Sequence, residues 1–352
     1  MLARKAIPLI SPEAWVIDDT GIKKDGTASL GVARQYSGTL GKIGNCKIGN
    51  CKIGVSVHAV TEQASCALDW RLFLPEGWQG TGAETNDQAE LIAARRRKTQ
   101  IPDSVRHRTK WELALEMLDE LASWGHRLPL ICADAGYGEI TDFRLSLSER
   151  GIAYVVAVKS TTSAHPAEAA PELMDCNGRG PRPHTIRYPQ APSPVKDLAG
   201  ARETFVEITC RHGTKTSPGS ALAAMTSRFT ALRVRPGNRN NPRQPHGSLP
   251  ECWLVAEWPA NTAQPTDCGL STLPEDTSLP ELVRLAKFRW RIEHDYRELK
   301  HGHGLAHFEG RTWPGRHHHV TATSTCRSRS SADITTGTLE TCPTLSIPPP
   351  NS

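Results

Sequence analysis

Three places in this sequence put a carboxylate where phosphodiester chemistry could use one. Asp19, with Asp18 beside it, closes the apolar run Ala14-Trp15-Val16-Ile17, and Asp134 closes Leu130-Ile131-Cys132-Ala133. Glu293 falls in a late stretch of helical spacing, where Arg289, Glu293, Arg297 and Lys300 share one face. Three carboxylates from different elements can hold two divalent ions about 3.5–4 Å apart, one activating an attacking hydroxyl and one stabilising the leaving oxygen. Their hard oxygens suit Mg²⁺ or Mn²⁺, and neighbouring cations would hold nucleic-acid phosphates in register. Each acid also has an ordinary role. An Asp before Thr-Gly or Ala-Gly-Tyr-Gly commonly forms a turn or a cap. Glu293 among basic residues is by default half of a surface ion pair worth roughly 0.3–0.5 kcal/mol.

The elements that must position these acids follow from apolar patterning. Residues 14–19 read as a buried strand ending in carboxylates, residues 53–60 alternate as a second strand, and residues 67–74 form a third, closed by Pro75. Residues 109–124 have helical spacing, with Trp111, Leu115, Leu118 and Ala122 on one stripe. A short strand runs into Asp134, followed by a helix over 141–150 and a strand over 153–158. A three-strand meander followed by helix, strand, helix and strand is the order of an RNase H-like α/β fold, a mixed sheet flanked by helices.

The expected division is a first part of the catalytic core over 1–160, a linker and β-rich insertion over 161–278, a last part of the core with the Glu293 helix over 279–320, and a disordered tail over 321–352. Residues 160–201 are rich in Pro, Ala and Gly and read as a linker. Strands over 204–210, 229–234 and 252–258 make up a separate insertion, and helical spacing runs from 279 to 300. The tail is dominated by Ser, Thr and Pro, with too few large apolar residues to offset the entropy of ordering. The segment Gly44-Asn45-Cys46-Lys47-Ile48 is repeated at once as 49–53, too short a copy for a solenoid unit. Inserted in a strand, five residues exchange the faces of the side chains unless they loop out as a bulge or a longer hairpin.

Composition excludes little. Lys and Arg exceed Asp and Glu by 42 to 37, a mild excess that permits a nucleic-acid partner without arguing for one. Its clustering, at Arg95-Arg96-Arg97-Lys98 with Arg106, Arg108 and Lys110 and again over 284–300, is more informative. Ten cysteines without a single Cys-x2-Cys pair make no metal framework. With no secretory signal and no apolar run of membrane length, the chain reads as a reduced, cytoplasmic protein with free thiols and no membrane partner.

A resemblance sharpens this reading. FRWRIEHDYRELK (288–300), followed by GLAHFEGRTW (304–313), closely resembles the third catalytic motif of insertion-sequence DDE transposases, written Tyr-x2-Arg-x3-Glu-x6-Lys in the relevant branch. Arg289, Glu293 and Lys300 fall at its positions, while Ala286 stands at the Tyr position. WVIDDTGIKKDG (15–26) with residues 31–59 resembles the first motif, and ADAGYGEITDFRLSLSERG (133–151) the second. The likeness covers residues 10–320 and is greatest to the insertion sequence 701 group. It implies that Asp19, Asp134 and Glu293 bind the metals, with Asp19 preferred to Asp18 because the family's first Asp stands directly before Thr. It implies DNA contacts from Arg289 and Lys300, with Arg297 on the same face. The implied reaction is cleavage at the element's ends, then attack of the freed 3′-hydroxyl on target DNA by two protein copies pairing two ends.

Departures from the pattern argue for a truncated, frameshifted remnant. The chain begins where the first motif begins, the duplication follows it, Cys268-Gly269 replaces aromatic residues, and the tail after His319 lacks an apolar closing helix. A remnant would bind DNA weakly and catalyse nothing, and a nuclease without strand transfer is a third reading. An aspartic protease, suggested by Asp19-Thr20-Gly21, fails because Ile22-Lys23-Lys24 follows and no second lobe is evident. His301, His303, His307 and His317 to His319 invite a zinc reading, which lacks a four-ligand pattern. Trp253 and Trp258 could stack on a flipped base, but packing is their simpler role.

Overall fold

The structure is a computed structural model that describes residues 2–36, 48–80, 83–173, 186–211, 224–238 and 240–336. Helix α1 (Leu2–Ile10) leads into β1 (Ala14–Lys23), β2 (Ala33–Tyr36), β3 (Ile48–Val60) and β4 (Ser65–Phe73). Next come α2 (Asn86–Lys98), α3 (Lys110–Ser123), β5 (Leu130–Ala133), the one-turn α4 (Ala135–Gly138), α5 (Thr141–Glu149) and β6 (Tyr154–Val158).

Strand β1 is central. It pairs antiparallel with β3 over its whole length and parallel with β5 from Ala14 to Ile17, and β3 pairs with β4 while β5 pairs in parallel with β6. The order β4-β3-β1-β5-β6 is the RNase H-like core that the sequence pattern predicts. Both faces of β1 are covered, which is why Ala14 to Ile17 form an unbroken buried run. Trp15 and Ile17 pack with α1, α3 and α5, whereas Ala14 and Val16 face Phe288, Ile292, Tyr296 and Leu299.

Beyond β6 the chain continues as β7 (Ser163–Pro166), the pair β8 (Glu172–Leu173) and β9 (Ile186–Arg187), then β10 (Ser193–Pro194) and α6 (Val195–Gly200). β11 (Val206–Arg211), β12 (Ala224–Pro236), β13 (Cys252–Glu257) and β14 (Asp267–Ser271) follow, then α7 (Leu279–Lys287), α8 (Arg289–His301) and α9 (Trp313–Thr336).

Several expectations change. The first strand does not end at the acids but continues to Lys23, because the ladder with β3 persists to Cys51; only the β5 neighbour stops at Ile17. The insertion is not a separate unit. β14 pairs with β6, and β13, β12, β7 and β10 extend the same sheet. The stretch read as linker contains β7 to β10 and α6, with Val195 and Ala199 fully buried. The helix expected over 279–300 is two helices, divided at Phe288, which caps both. The tail is helical to Thr336, and residues 337–352 lie outside the described part. Composition judged that tail in isolation, but Trp70 on β4 gives it a partner, its indole Nε1–H donating to Ser324 Oγ at 3.0 Å. The first copy of the duplication lies outside the described residues up to Ile48, while residues 49–53 run within β3. A bulge between Val57 and His58 interrupts β3 farther on.

Candidate active site

The acids lie where β1 loses its β5 neighbour. Past Ile17 one edge of β1 is open, and Asp18 and Asp19 alternate across the sheet at that gap. Asp18 lies on the face of Val16, toward α8, with its Oδ1 accepting the backbone N–H of Asp19 at 2.7 Å. Asp19 lies on the other face, where Lys110 Nζ stands 2.9 Å from its Oδ2. Lys110 is the first residue of α3, set in place by the reciprocal capping box of Thr109 and Glu112. Asp134 leaves β5 and caps α4, accepting the Gly136 N–H at 2.9 Å. That turn packs tightly on the sheet: a Cβ on Gly138 would lie 1.9 Å from the Ala157 carbonyl oxygen.

Helix α8 lays Ile292, Asp295, Tyr296 and Leu299 against the sheet and turns Glu293 and Arg297 outward. The two cations flanking that exposed face are tethered. Arg289 pairs with Asp267 of β14 at 2.9 Å, and Lys300 Nζ donates to the Gly21 carbonyl on β1 at 2.9 Å. Arg289, Trp290 and Glu293 line a cleft of about 790 Å³ that continues past Ala135, Lys159 and Lys287.

The electrostatics tie the acids together. Burial, then the charges of Asp134, Asp19 and Glu293, push the Asp18 carboxyl well above the usual carboxylate range. Asp134 is raised by burial and then by Asp19, against the pull of Arg289. Lys300 is lowered to about 8 by burial, despite the opposing fields of Asp18 and Asp19. Burial thus disfavours the ionised forms of Asp18 and Asp134 first, and the neighbouring carboxylates add to it. Among the described residues, however, no group of three or more His, Cys, Asp or Glu side chains stands close enough to hold a metal ion as it is. Each aspartate is already occupied, Asp18 and Asp134 by backbone N–H groups and Asp19 by Lys110. The histidines make other contacts: His317 Nδ1 lies 2.9 Å from the Trp313 carbonyl oxygen, and His319 stacks on Phe308.

Other expectations change as well. Arg95 and Arg96 do not form a free basic patch. Arg95 stacks 3.6 Å over Trp78 and bonds the Thr27 carbonyl, while Arg96 bonds the carbonyls of Trp78, Pro102 and Val105. Trp253 and Trp258, by contrast, take the packing role expected of them: each packs against a core cluster, with Trp253 Nε1 donating to the Pro274 carbonyl and Trp258 Nε1 to the Thr262 carbonyl at 3.0 Å each. Asp19-Thr20-Gly21 runs inside a strand rather than in a turn.

Sequence reasoning missed Lys110 as the partner of Asp19, Asp267 as the partner of Arg289, and two buried polar groups beside the acids. Tyr137 is 2 % exposed, its hydroxyl lacks a hydrogen-bond partner, and its phenol is raised by burial and then by Asp19 and Asp18. A wholly buried set, Ser56, His58, Ser65, Asp295 and Tyr296, joins β3 and β4 to α8. Its signal was in the sequence: Ser56 and His58 alternate with Val55 and Val57 in a strand too apolar to be open on either face.

Comparison with known proteins gives two findings. The sequence model of a family described as DDE superfamily endonuclease matches residues 1–217. A protein of Microchaete diplosiphon described as a probable transposase for insertion sequence element IS701 is 31 % identical over 150 residues, which is 42 % of this chain and 32 % of that protein. The matched segment therefore spans about a third of the relative's length.

Proposed function

Since the chain belongs to the DDE superfamily endonuclease family, we propose that it is a DNA transposase whose metal-dependent site is built from Asp19, Asp134 and Glu293. The observation that carries this reading is the placement of Asp18, Asp19 and Asp134 together where β1 loses its β5 neighbour, with Asp18 and Asp134 raised by burial and then by neighbouring carboxylates. Acids whose ionised forms disfavour one another call for a cation among them. Lys110 Nζ, 2.9 Å from Asp19, fills that role in part and marks where positive charge is accepted.

The donor set is all carboxylate oxygen, which fits two Mg²⁺ or Mn²⁺ ions better than zinc. When bound, such ions activate an attacking hydroxyl and stabilise the leaving oxygen of a phosphodiester. The protein's own part is positioning. To hold such ions, Asp19 would have to release Lys110 and the exposed Glu293 side chain would have to turn toward the acids, whereas Asp134 is already set by its cap on α4. Asp18, the more deeply buried neighbour, stays beneath α8 with its ionised form disfavoured. Arg297 is free to meet DNA phosphates, and Arg289 and Lys300 flank them from their tethers on Asp267 and Gly21. We assign the chain to the cytoplasm, with element ends and target DNA as partners and a homodimer in the DNA complex.

A second reading, an inactive remnant, rests on a specific observation. Arg316 is 3 % exposed on α9, its Nε and Nη1 lack partners, and Lys52, also buried, leaves its Nζ without one. Such burial is costly and fits a copy whose fold is no longer maintained by selection.

Nicking and joining of supercoiled plasmid by the full chain separates the readings. With Mg²⁺ or Mn²⁺ we expect products that disappear with chelator and in Glu293→Gln. Joined ends would mark strand transfer, and cut ends alone a nuclease. Metal-independent, salt-sensitive binding without cleavage would refute the transposase reading.

A further inference from the structure

Helix α8 is tied to the sheet by a buried polar network as well as by apolar packing. Asp295 Oδ2 lies 2.7 Å from His58 Nδ1, and Asp295 Oδ1 accepts the Ser65 hydroxyl at 2.6 Å. His58 Nε2 lies 3.0 Å from Ser56 Oγ, which in turn lies 2.8 Å from the Tyr296 hydroxyl. His58 and Ser56 are 0 % exposed and Asp295 is 1 % exposed. The imidazole edge meets both Trp70 and Tyr296, with ring centroids 5.9 and 5.5 Å away.

Ser56, His58 and Asp295 repeat the connectivity of a nucleophilic triad. Burial rules out that use, because no substrate reaches Ser56 Oγ. What the network does is mechanical. A helix packed only through Ile292 and Leu299 can rotate a little about its axis at small cost, since apolar contacts are non-directional. Hydrogen bonds from one carboxylate to two different strands cannot follow such a rotation without breaking, and a carboxylate buried with lost partners is strongly penalised. Asp295 therefore sets the azimuth of α8. Glu293 is two residues away, about 200° around the helix, so a clamp on the inner side points Glu293 outward, into the cleft it lines with Ala135 and Arg289.

We infer that Asp295, held by His58 of β3 and Ser65 of β4, is a positioning residue that fixes the rotation of α8 and thereby holds Glu293 at the cleft it shares with Ala135, the residue after Asp134. The inference rests on the reading of those acids as metal ligands. Residues that orient ligands without touching the metal typically change affinity by about 10–100-fold when lost.

The test is Mn²⁺ affinity of the full chain, read by the loss of the free-ion electron paramagnetic resonance signal, in a double-mutant cycle. Asp295→Ala is expected to weaken Mn²⁺ binding at least about tenfold, and Glu293→Gln, added to it, to weaken it little more. Asp295→Asn, which keeps the shape and can bond both partners if His58 changes tautomer, is expected to restore most of the affinity. Leu254→Ala, a buried change on β13, controls for general destabilisation and should leave affinity unchanged. Should Asp295→Ala fail to fold, Ser65→Ala replaces it in the same cycle, removing one of the two clamping bonds. Near-native affinity in the folded clamp variant, or a loss matched by Leu254→Ala, overturns the inference while Glu293→Gln alone still weakens binding. If Glu293→Gln alone has no effect, the ligand reading has failed, and the inference falls with it.

Discussion

Replacing Asp18 by Asn should make the metal-free protein more stable. The parallel register Ile17↔Ala133 places Asp18 and Asp134 side by side, one strand spacing or roughly 5 Å apart. At an effective dielectric of about 20, two like charges at that distance repel by about 3 kcal/mol. The half-open mouth and physiological salt reduce this to about 1.5 kcal/mol. Asn keeps the oxygen that accepts the Asp19 N–H, so little is lost in exchange. In a chain of this size the gain corresponds to a rise in Tm of about 2 °C. The pH dependence follows from the direction of the shift. The folded state raises the Asp18 pKa above its ordinary 3.8. The penalty is therefore absent below about pH 4, grows as pH rises through the folded value, and is complete above it. Thermal melts in chelator at pH 3 and 7.5 should show the advantage of Asp18→Asn only at the higher pH. Because Asp19 rather than Asp18 is assigned as the ligand, the variant should also keep Mn²⁺ binding. A lower Tm at pH 7.5, or loss of Mn²⁺ binding, would refute the reasoning and move the ligand role to Asp18.

Three further outcomes are expected. Gly138→Ala drives a Cβ to within 1.9 Å of the Ala157 carbonyl oxygen; urea unfolding should show a loss of about 3 kcal/mol or more, and an unchanged midpoint would mean that α4 does not pack on β6 as described. Lys52 is lowered to about 7 by burial, with Lys24 and Arg316 adding to the effect. The unfolded chain then holds that proton up to about pH 10.5, so stability rises between pH 7 and 9.5 by up to about 1.4 kcal/mol per unit. Lys52→Met should flatten that rise, and an identical slope in both proteins would contradict it. Burial pushes the Cys132, Cys252 and Cys268 thiols up to about 12. Iodoacetamide at pH 8 followed by mass spectrometry should leave these three unmodified in the native protein, and fast labelling would show that the sheet opens.

The core was legible because its strands are buried on both faces. Residues 14–17, 130–133 and 154–158 are nearly continuous apolar runs, and such runs identify central strands without knowledge of their partners. Their order then left one architecture. The insertion was not legible as part of the same sheet, since the pairing of β14 with β6 links residues 110 or more positions apart and leaves no local periodicity. The division between α7 and α8 was hidden for a different reason: Phe288 keeps a helical backbone and an apolar position, so the repeat runs through it. At the site, Asp19 and Asp134 stood out as candidates because they are acids at the ends of apolar runs, and Glu293 only through its spacing from Arg289 and Lys300. Their partners did not. Lys110 reaches Asp19 across 91 residues, and His58 reaches Asp295 across 237. Nothing in either local sequence names the other member.

The central claim, that Asp19, Asp134 and Glu293 form a site for divalent metal, is tested most directly by a calorimetric Mn²⁺ titration of the full chain beside its Asp134→Ala variant. It needs no knowledge of the element's ends, and a ligand that binds only the folded state also raises Tm. The account predicts saturable binding with a raised Tm in the native chain and loss of both in the variant. Absence of binding in either protein, or equal binding in both, would contradict it.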